Sequence, residues 1–298
     1  MTLYSQIDSN KRKTWVVMFL FVLLVSLVGY IFGKISGYGT GMVAFAVIFS
    51  CATSFFSYFF SDDIALGISG AIKVDKNTEP KVFRIVENLC IGAGIPAPKV
   101  YLIKDTAINA FAVGRDPKHA AVVLTTGAVE RLEDEELEGV VAHELSHIKN
   151  FDTRLMVIVV VLIGSVILLA DWMARSLFYR RRGRDSDSRG GEVLFLIGLL
   201  LIVLSPLIAT LIQLAISRNR EYLADASGAL LTRYPVGLAS ALEKIAQDKE
   251  PLEVANKATA HLYISNPLKN QKDSVSWFAN LFNTHPPIND RIQRLRSM

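Results

Sequence analysis

Two long runs without a charged residue, near the start of this 298-residue chain, limit its architecture more than any other feature. Residues 15–33 and 39–60 contain no Asp, Glu, Lys or Arg, and each run is long enough to cross a bilayer as one helix. A cleaved signal peptide is the alternative for the first run. That run is longer than a signal core and has no clear small-residue cleavage site. The two runs therefore predict a transmembrane hairpin that anchors the protein.

The net charge of +4 and the pI near 9.0 agree with a membrane protein. Hydrophobic residues make up 51% of the chain and charged residues 20%, and basic residues lie beside the apolar runs. We interpret the basicity as topological and expect no nucleic-acid partner. The basic residues 11–13 precede the first run, so the positive-inside rule places the start of the chain in the cytoplasm. Neither Cys51 nor Cys90 has a paired spacing, and we expect no disulfide framework.

Two further apolar runs, residues 155–170 and 193–217, flank a basic loop at 175–192. If both runs span the membrane, six arginines lie on the side opposite the soluble segments, against the positive-inside rule. A re-entrant or shallow hairpin avoids that conflict, whereas the length of the last run favours a full span. Both arrangements stay open. Asp171 ends the third run, and we assign it to the membrane interface rather than to a functional intramembrane site.

The segment His-Glu-Leu-Ser-His, residues 143–147, is the strongest chemical signal in the chain. Two histidines four residues apart on a helix share one face, and two neutral imidazoles can bind one Zn²⁺. Glu144 can then reach a water at the open coordination position and take its proton during attack on a peptide carbonyl. Acidic residues at 133–138 suit the first turn of such a helix. An ordinary surface helix with two histidines is the alternative, but apolar residues at helical spacing around the pair favour a metal site.

A catalytic zinc needs a third protein ligand. The candidates are a carboxylate or one of the remaining histidines, His119, His261 and His285. Glu221 precedes Asp225 by four residues, so the two carboxylates share one helix face. One of them can bind zinc while the other orients a ligand histidine through its free ring nitrogen. A surface helix with salt bridges to neighbouring arginines is the alternative, and spacing alone leaves both interpretations open.

The soluble segments have the pattern of a small domain with helices and strands. Pro80 begins an apolar stripe at helical spacing that Gly92 and Gly94 end. Three short segments with strand character follow, the last two joined by a turn at 114–118; they are residues 100–103, 110–113 and 120–124. We expect a tail with a membrane hairpin, a first catalytic part, a second membrane hairpin and a second catalytic part, over residues 1–60, 61–154, 155–217 and 218–298.

Together these motifs resemble those of the HtpX family of bacterial membrane zinc proteases, relatives of the CAAX prenyl proteases. The resemblance covers nearly the whole chain. Its motifs are the paired N-terminal runs, Asn-Ala-Phe-Ala at 109–112, Leu-Thr-Thr-Gly at 124–127, the segment at 143–147, Arg-Glu-Tyr-Leu-Ala-Asp at 220–225 and Thr-His-Pro-Pro at 284–287. It implies an α-helical membrane protein with an α+β catalytic domain of the zincin type, gluzincin-like, rich in helix and with a small β-sheet.

The resemblance also implies a zinc endopeptidase in the bacterial cytoplasmic (inner) membrane, crossing it several times, with its catalytic domain facing the cytoplasm. One Zn²⁺ per chain is expected. Its ligands would be His143, His147 and Glu221, with Glu144 as the general base and Asp225 supporting a ligand histidine. The expected substrates are damaged or misfolded membrane proteins, in a stress response that serves protein quality control. The expected partners are bilayer lipid and other quality-control proteases.

Two further residues each keep two alternative roles. His285 either stabilises the oxyanion or caps the final helix. Asn109 starts a short strand that, as a sheet edge, can add an extended substrate peptide, with the Asn109 amide holding the leaving side of that peptide. Alternatively, the strand belongs to an ordinary core hairpin and Asn109 caps its start.

Two other functions compete with this one. A site-2-type intramembrane metalloprotease would place the histidine helix inside the bilayer, but the charges at 133–138 and 149–154 are too many for that depth. A zinc-binding transporter or scaffold without proteolysis has no need of an acid between the two histidines. Glu144 therefore favours the protease.

Overall fold

The structure is a computed structural model of the chain and describes residues 3–36, 39–181, 218–248, 250, 252, 262–264 and 286–298. The fourth apolar run, most of the basic loop, His261 and His285 lie outside this described part. Its helices are, in chain order, α1 (Leu3–Ser36), α2 (Gly41–Ile68), α3 (Pro80–Ala93), α4 (Thr126–Arg131), α5 (Asp134–Lys149), α6 (Asp152–Arg181), α7 (Arg218–Thr232), α8 (Pro235–Gln247) and α9 (Ile288–Arg296). Its strands are β1 (Ile72–Lys73), β2 (Lys99–Ile103), β3 (Ala110–Asp116) and β4 (His119–Thr125).

Within the described part, α1 and α2 are long and apolar enough to cross a membrane, over Ile7–Lys34 and Gly41–Ile68. This agrees with the two predicted membrane runs. α1 already begins at Leu3, so the basic residues 11–13 belong to the same helix as the first run and not to a separate polar tail. No proline or glycine interrupts residues 3–14, and the helix therefore extends through them. The third apolar run likewise lies within one longer helix, α6, which continues past Asp171.

α1, α2 and α6 form one apolar bundle, with Phe21 and Leu155 in its buried core. α1 and α2 approach closely at Gly29, where a Cβ atom would overlap the side chain of Ala46. Small residues at such a contact let membrane helices pack backbone against backbone. Because α6 follows α5 almost directly in the chain, the bundle holds the helix that carries the histidine pair next to the membrane anchor.

The described strands form one mixed sheet in the order β1-β2-β4-β3, so β3 is an edge strand. β2 runs parallel to β4, and β3 pairs antiparallel with β4. The predicted strands lie where expected, but the predicted turn at 114–118 was too long, because the actual turn is residues 117–118. Gly114 stays in β3 with a φ of 141°, beside a register shift between Gly114 and Asp116. Asp116 Oδ1 accepts the N–H of Lys118 in the turn and the N–H of His119 directly after it, which helps two residues to close the hairpin.

Both faces of the β3–β4 hairpin are buried, because alternate side chains point to opposite sides of a strand. Ala110 and Ala112 pack in the same core as α3, α5 and α8. Phe111 and Val113 pack in a second core with the start of α6 and the end of α2. The hairpin therefore lies between α5 and the membrane bundle, and it brings its edge strand next to the histidine pair.

Candidate metal centre

The histidine pair lies on α5, whose start is stabilised by acidic residues. The Glu133 N–H donates to Glu136 Oε2 at 2.9 Å in a capping box, and acidic residues fill the first turn as predicted. His143 and His147 are only 0% and 5% exposed. The alternative of a surface helix with two solvent-facing histidines was therefore wrong.

α7 brings two carboxylates to the histidines because it packs closely against α5. A Cβ atom on Gly228 would lie 3.1 Å from the main-chain nitrogen of His143, so this glycine permits the close approach. Glu221 and Asp225 are 4% and 3% exposed and face α5 from one side of α7. The alternative of a solvent-exposed salt-bridge helix was therefore wrong for this pair.

Three side chains converge on one point and could hold a metal ion: His143, His147 and Glu221. The two Nε2 atoms are 3.1 Å apart. Glu221 Oε2 lies 3.8 Å from His143 Nε2, and Glu221 Oε1 lies 3.5 Å from His147 Nε2. Two ligand atoms at about 2.0–2.2 Å from one tetrahedral zinc ion are roughly 3.3–3.6 Å apart. The separations of 3.1, 3.5 and 3.8 Å lie on both sides of this range, so small side-chain movements bring the three groups to ligand distance from a single ion.

A carboxylate lies behind each histidine. Asp225 Oδ1 is 2.9 Å from His143 Nδ1, and Asp152 Oδ2 is 3.1 Å from His147 Nδ1. When each Nδ1 carries its proton and donates it to the carboxylate, each Nε2 presents a lone pair to the same point. Two lone pairs at this distance need either a proton or a metal ion between them. The donor set therefore fits a metal ion. In the sequence Asp152 is one of the flanking charges at 149–154, and its position just after α5 places it within reach of His147.

Arg291 on α9 is the second residue of the centre that sequence analysis missed. Its Nε and Nη2 atoms donate to both oxygens of Asp225, at 2.8 and 2.7 Å, and its side chain is 1% exposed. Burial alone would raise the pKa of Asp225, but the Arg291 guanidinium and His143 lower it to about 2. Helical spacing in the sequence could have indicated that Arg291 is buried. It lies on the same face of α9 as Ile288 and Leu295, which pack in the apolar core.

Glu144 lies beside the cluster and is 2% exposed. Burial raises its pKa to about 7, against the opposing effect of His147. The Ala112 main-chain N–H donates to this carboxylate, which ties Glu144 to the edge strand β3. A carboxylate whose pKa lies near neutral pH can both accept and return a proton during a reaction.

The two histidines have opposite pKa shifts. Burial lowers the pKa of His143 to about 4, which keeps this imidazole neutral. Burial would also lower the pKa of His147, but the hydrogen bond to Asp152 and the charge of Glu221 raise it to about 9. A metal ion binds only the deprotonated ring nitrogen, so its binding at His147 displaces a proton.

Two other candidate residues lie elsewhere in the hairpin. His119 begins β4 with a side chain 51% exposed and paired with Asp116, so its candidacy as the third metal ligand was wrong. Asn109 precedes β3 and is buried, with its N–H donating to Thr125 Oγ1 at 3.0 Å and its Oδ1 accepting the Ala110 N–H at 3.1 Å. These contacts fix the start of β3.

Comparisons with known proteins agree with a protease of this type. The model of Peptidase family M48 matches residues 76–298. The chain is 46% identical to a Protease HtpX homolog of Dictyoglomus thermophilum over 300 residues, covering 100% of this chain and 95% of the relative. It is 44% identical to a Protease HtpX homolog of Tropheryma whipplei, covering 99% and 98%, and 43% identical to one of Streptococcus pneumoniae, covering 99% and 100%.

A solved structure shares the fold. The chain superposes on the crystal structure of S. mikatae Ste24p with a TM-score of 0.51 and 20% sequence identity, covering 94% of this chain. The chain spans 62% of the length of that protein. The described part of this chain is helix-rich, with a small mixed sheet beside α5 and α7, as predicted for the fold class.

Proposed function

Since this chain belongs to peptidase family M48, we propose that the metal of this membrane metalloprotease is one Zn²⁺ per chain, bound by His143, His147 and Glu221. The observation that carries this proposal is the convergence of the three side chains, with Glu144 beside them and a carboxylate behind each histidine. The relatives described above are all named as proteases, and none supports the transporter or scaffold alternative.

When bound, zinc supplies a Lewis acid that polarises a peptide carbonyl and makes a water more acidic. Glu144 accepts the proton of the attacking water at its carboxylate and returns it to the nitrogen of the leaving amine. Burial disfavours the charged form of the Glu144 carboxylate and raises its pKa, which helps it to hold the proton between the two transfers. Asp225 and Asp152 hold the Nδ1 protons and so orient both imidazoles.

The substrate peptide is proposed to lie along the outer edge of β3. Edge strands bind extended peptides through main-chain hydrogen bonds, which suits an enzyme that accepts many unfolded sequences. This placement is supported by the position of β3, which is the edge of the described sheet and lies beside Glu144. A bound peptide would replace the Ile264 N–H that donates to the Ala110 main-chain oxygen at 2.9 Å. Asn109, immediately before this strand, is proposed to hold the leaving side of the peptide. His285 keeps its two proposed roles, oxyanion stabilisation or capping of α9.

The proposed site of action is the cytoplasmic face of the bacterial inner membrane. Asn10 on α1 donates to Asp152, which contacts His147, so the metal centre lies at the same end of α1 as the basic residues 11–13. The positive-inside rule assigns that end to the cytoplasm. The proposed substrates are damaged or misfolded membrane proteins, and other quality-control proteases are the proposed partners. On this proposal the catalytic domain consists of residues 61–154 and 218–298, which contribute α5 and α7 to one centre.

Digestion of an unfolded protein such as casein by detergent-purified protein tests the proposal. We expect cleavage that stops when a chelator removes the metal and returns when zinc is added. Glu144→Gln should lose cleavage while still binding about one zinc per chain, because the three ligands remain. Cleavage that is unaffected by both the chelator and Glu144→Gln would contradict the proposed mechanism.

A further inference from the structure

The first turns of the membrane anchor α1 reach the metal centre. Asn10 lies just before the basic residues 11–13 and is 1% exposed. Its side-chain amide donates to the main-chain oxygen of Asn150 at 2.9 Å and to Asp152 Oδ1 at 2.7 Å. Both hydrogens of the amide are therefore used. Both acceptors lie where α5 ends and α6 begins.

Asp152 connects Asn10 to the histidine pair. Its second oxygen, Oδ2, lies 3.1 Å from His147 Nδ1, so the carboxylate is held at both ends. The Nη1 atom of Arg220 is 3.7 Å from Asp152 Oδ1, which is beyond hydrogen-bond distance. If Asn10 were removed, the carboxylate could turn towards this guanidinium, and the hydrogen bond that orients His147 would weaken.

The turn that carries Asp152 also depends on α1. Phe151, between the two acceptors, has a φ of 59°, in the left-handed region that residues other than glycine seldom adopt. The Lys11 ammonium lies 4.7 Å from the centre of the Phe151 ring, a cation–π contact. Two neighbouring residues of the anchor helix, Asn10 and Lys11, thus hold this turn in the conformation that directs Asp152 at His147.

We propose that Asn10 is a positioning residue of the metal centre. It fixes the Asp152 carboxylate in the orientation that accepts the hydrogen bond from His147 Nδ1–H. Through these contacts the membrane anchor influences the metal affinity of the protease. The inference rests on the proposed zinc site at His143, His147 and Glu221. It assigns α1 a part in the active site in addition to its part as an anchor.

The test compares zinc affinity, measured by competition with a chelator, among full-length variants in detergent. Asn10→Ala removes both hydrogen bonds to the turn, and with them the 3.5 Å contact from Arg220 Nη1 to Asn10 Oδ1. The nearly isosteric Asn10→Asp replaces the amide NH2 group, which carries both donor hydrogens, with one oxygen that repels Asp152. Thr14→Val is the matched control, because Thr14 is also buried on α1 and its hydroxyl donates only to the Asn10 main-chain oxygen. Asp152→Ala and His147→Ala are the reference variants. The thermal midpoint of each metal-free protein reports general damage to the fold.

We expect Asn10→Ala to weaken zinc binding about 10-fold, at the lower end of the effect of groups that orient a metal ligand. Asn10→Asp should weaken it at least as much. Thr14→Val should bind zinc like the wild type. In an Asp152→Ala background, Asn10→Ala should cause no further loss, because it acts through that carboxylate. Loss of buried hydrogen bonds lowers the metal-free thermal midpoint of the Asn10 variants as well. The result that a purely structural role of Asn10 would not give is a zinc effect that disappears in the Asp152→Ala background.

Wild-type zinc affinity in both Asn10 variants overturns the inference, and so does a full additional loss when Asn10→Ala is combined with Asp152→Ala. These outcomes differ from a failure of the proposed zinc site. If His147→Ala binds zinc as well as the wild type, the site itself is wrong and the inference falls with it. If His147→Ala and Asp152→Ala weaken zinc binding while the Asn10 variants do not, only the inference is wrong.

Discussion

Arg291→Met should destabilise the folded protein strongly, because it leaves the Asp225 carboxylate charged and buried without its guanidinium. Arg291 and Asp225 have side chains 1% and 4% exposed and share two short hydrogen bonds. Removing one partner of such a pair costs about 3–5 kcal/mol, because the remaining charge has lost its compensation. At roughly 2–4 °C per kcal/mol for a domain of this size, the thermal midpoint should fall by about 6–20 °C. Methionine keeps the aliphatic part of the side chain but not the volume of the guanidinium, so loss of packing adds to the effect.

The assay is thermal unfolding of the metal-free protein in detergent, so that zinc bound to the folded state does not mask the difference. Arg296→Met is the matched control on the same helix. Its guanidinium is 55% exposed and pairs with Glu243 at 2.7 Å. An exposed pair of this kind contributes about 0–1 kcal/mol, so the control should shift the midpoint by only a few degrees.

A double variant separates the effect of the buried Asp225 charge on stability from the other effects of removing Arg291. In Arg291→Met combined with Asp225→Asn, the carboxylate that was hydrogen-bonded to Arg291 is neutral, and much of the lost stability should return. A wild-type thermal midpoint for Arg291→Met would contradict this explanation. So would a double variant whose loss of thermal midpoint equals the sum of the losses of the two single variants.

Four further predictions concern single residues. Glu221→Ala should lose both bound zinc and proteolysis; full zinc occupancy by metal analysis would remove Glu221 from the ligand set. Because the pKa of Asp225 is lowered from its usual 3.8 to about 2, its ionisation contributes stability above about pH 4 that is lost as the pH falls towards 2. Urea unfolding should therefore show a smaller gap between wild type and Asp225→Asn at about pH 3 than at about pH 5. Burial raises the pKa of the Cys90 thiol to about 11, so a water-soluble maleimide should not label folded Cys51→Ser protein at about pH 7.5, and rapid labelling would contradict this. Asn109→Ala should lower turnover on an unfolded substrate without changing zinc content or thermal midpoint, and wild-type turnover would exclude Asn109 from the substrate site.

The features that the sequence alone predicted arise from local physics. The spacing of the residues at 143–147 places both histidines on one face of a helix, whatever surrounds that helix, because the period of the α-helix is a property of the backbone. The apolar runs predicted α1 and α2 because a bilayer requires a stretch of about 20 apolar residues per span. The acidic first turn of α5 followed from the helix dipole in the same way.

Only the tertiary structure decided which distant polar residues join the metal centre. Three of these residues are polar or charged types that are usually exposed to solvent: Asn10, Asp152 and Arg291. Their neighbours in sequence are also largely polar or charged. They are buried because α1, α6 and α9 pack around α5 and α7, and each finds a charged or amide partner there. Likewise, His119 and Glu221 were both open as third ligands until the hairpin left one exposed and α7 carried the other to the histidines. The physical reason is that burial and partner choice depend on which helix faces meet, and the sequence around a residue does not encode the surface it will face.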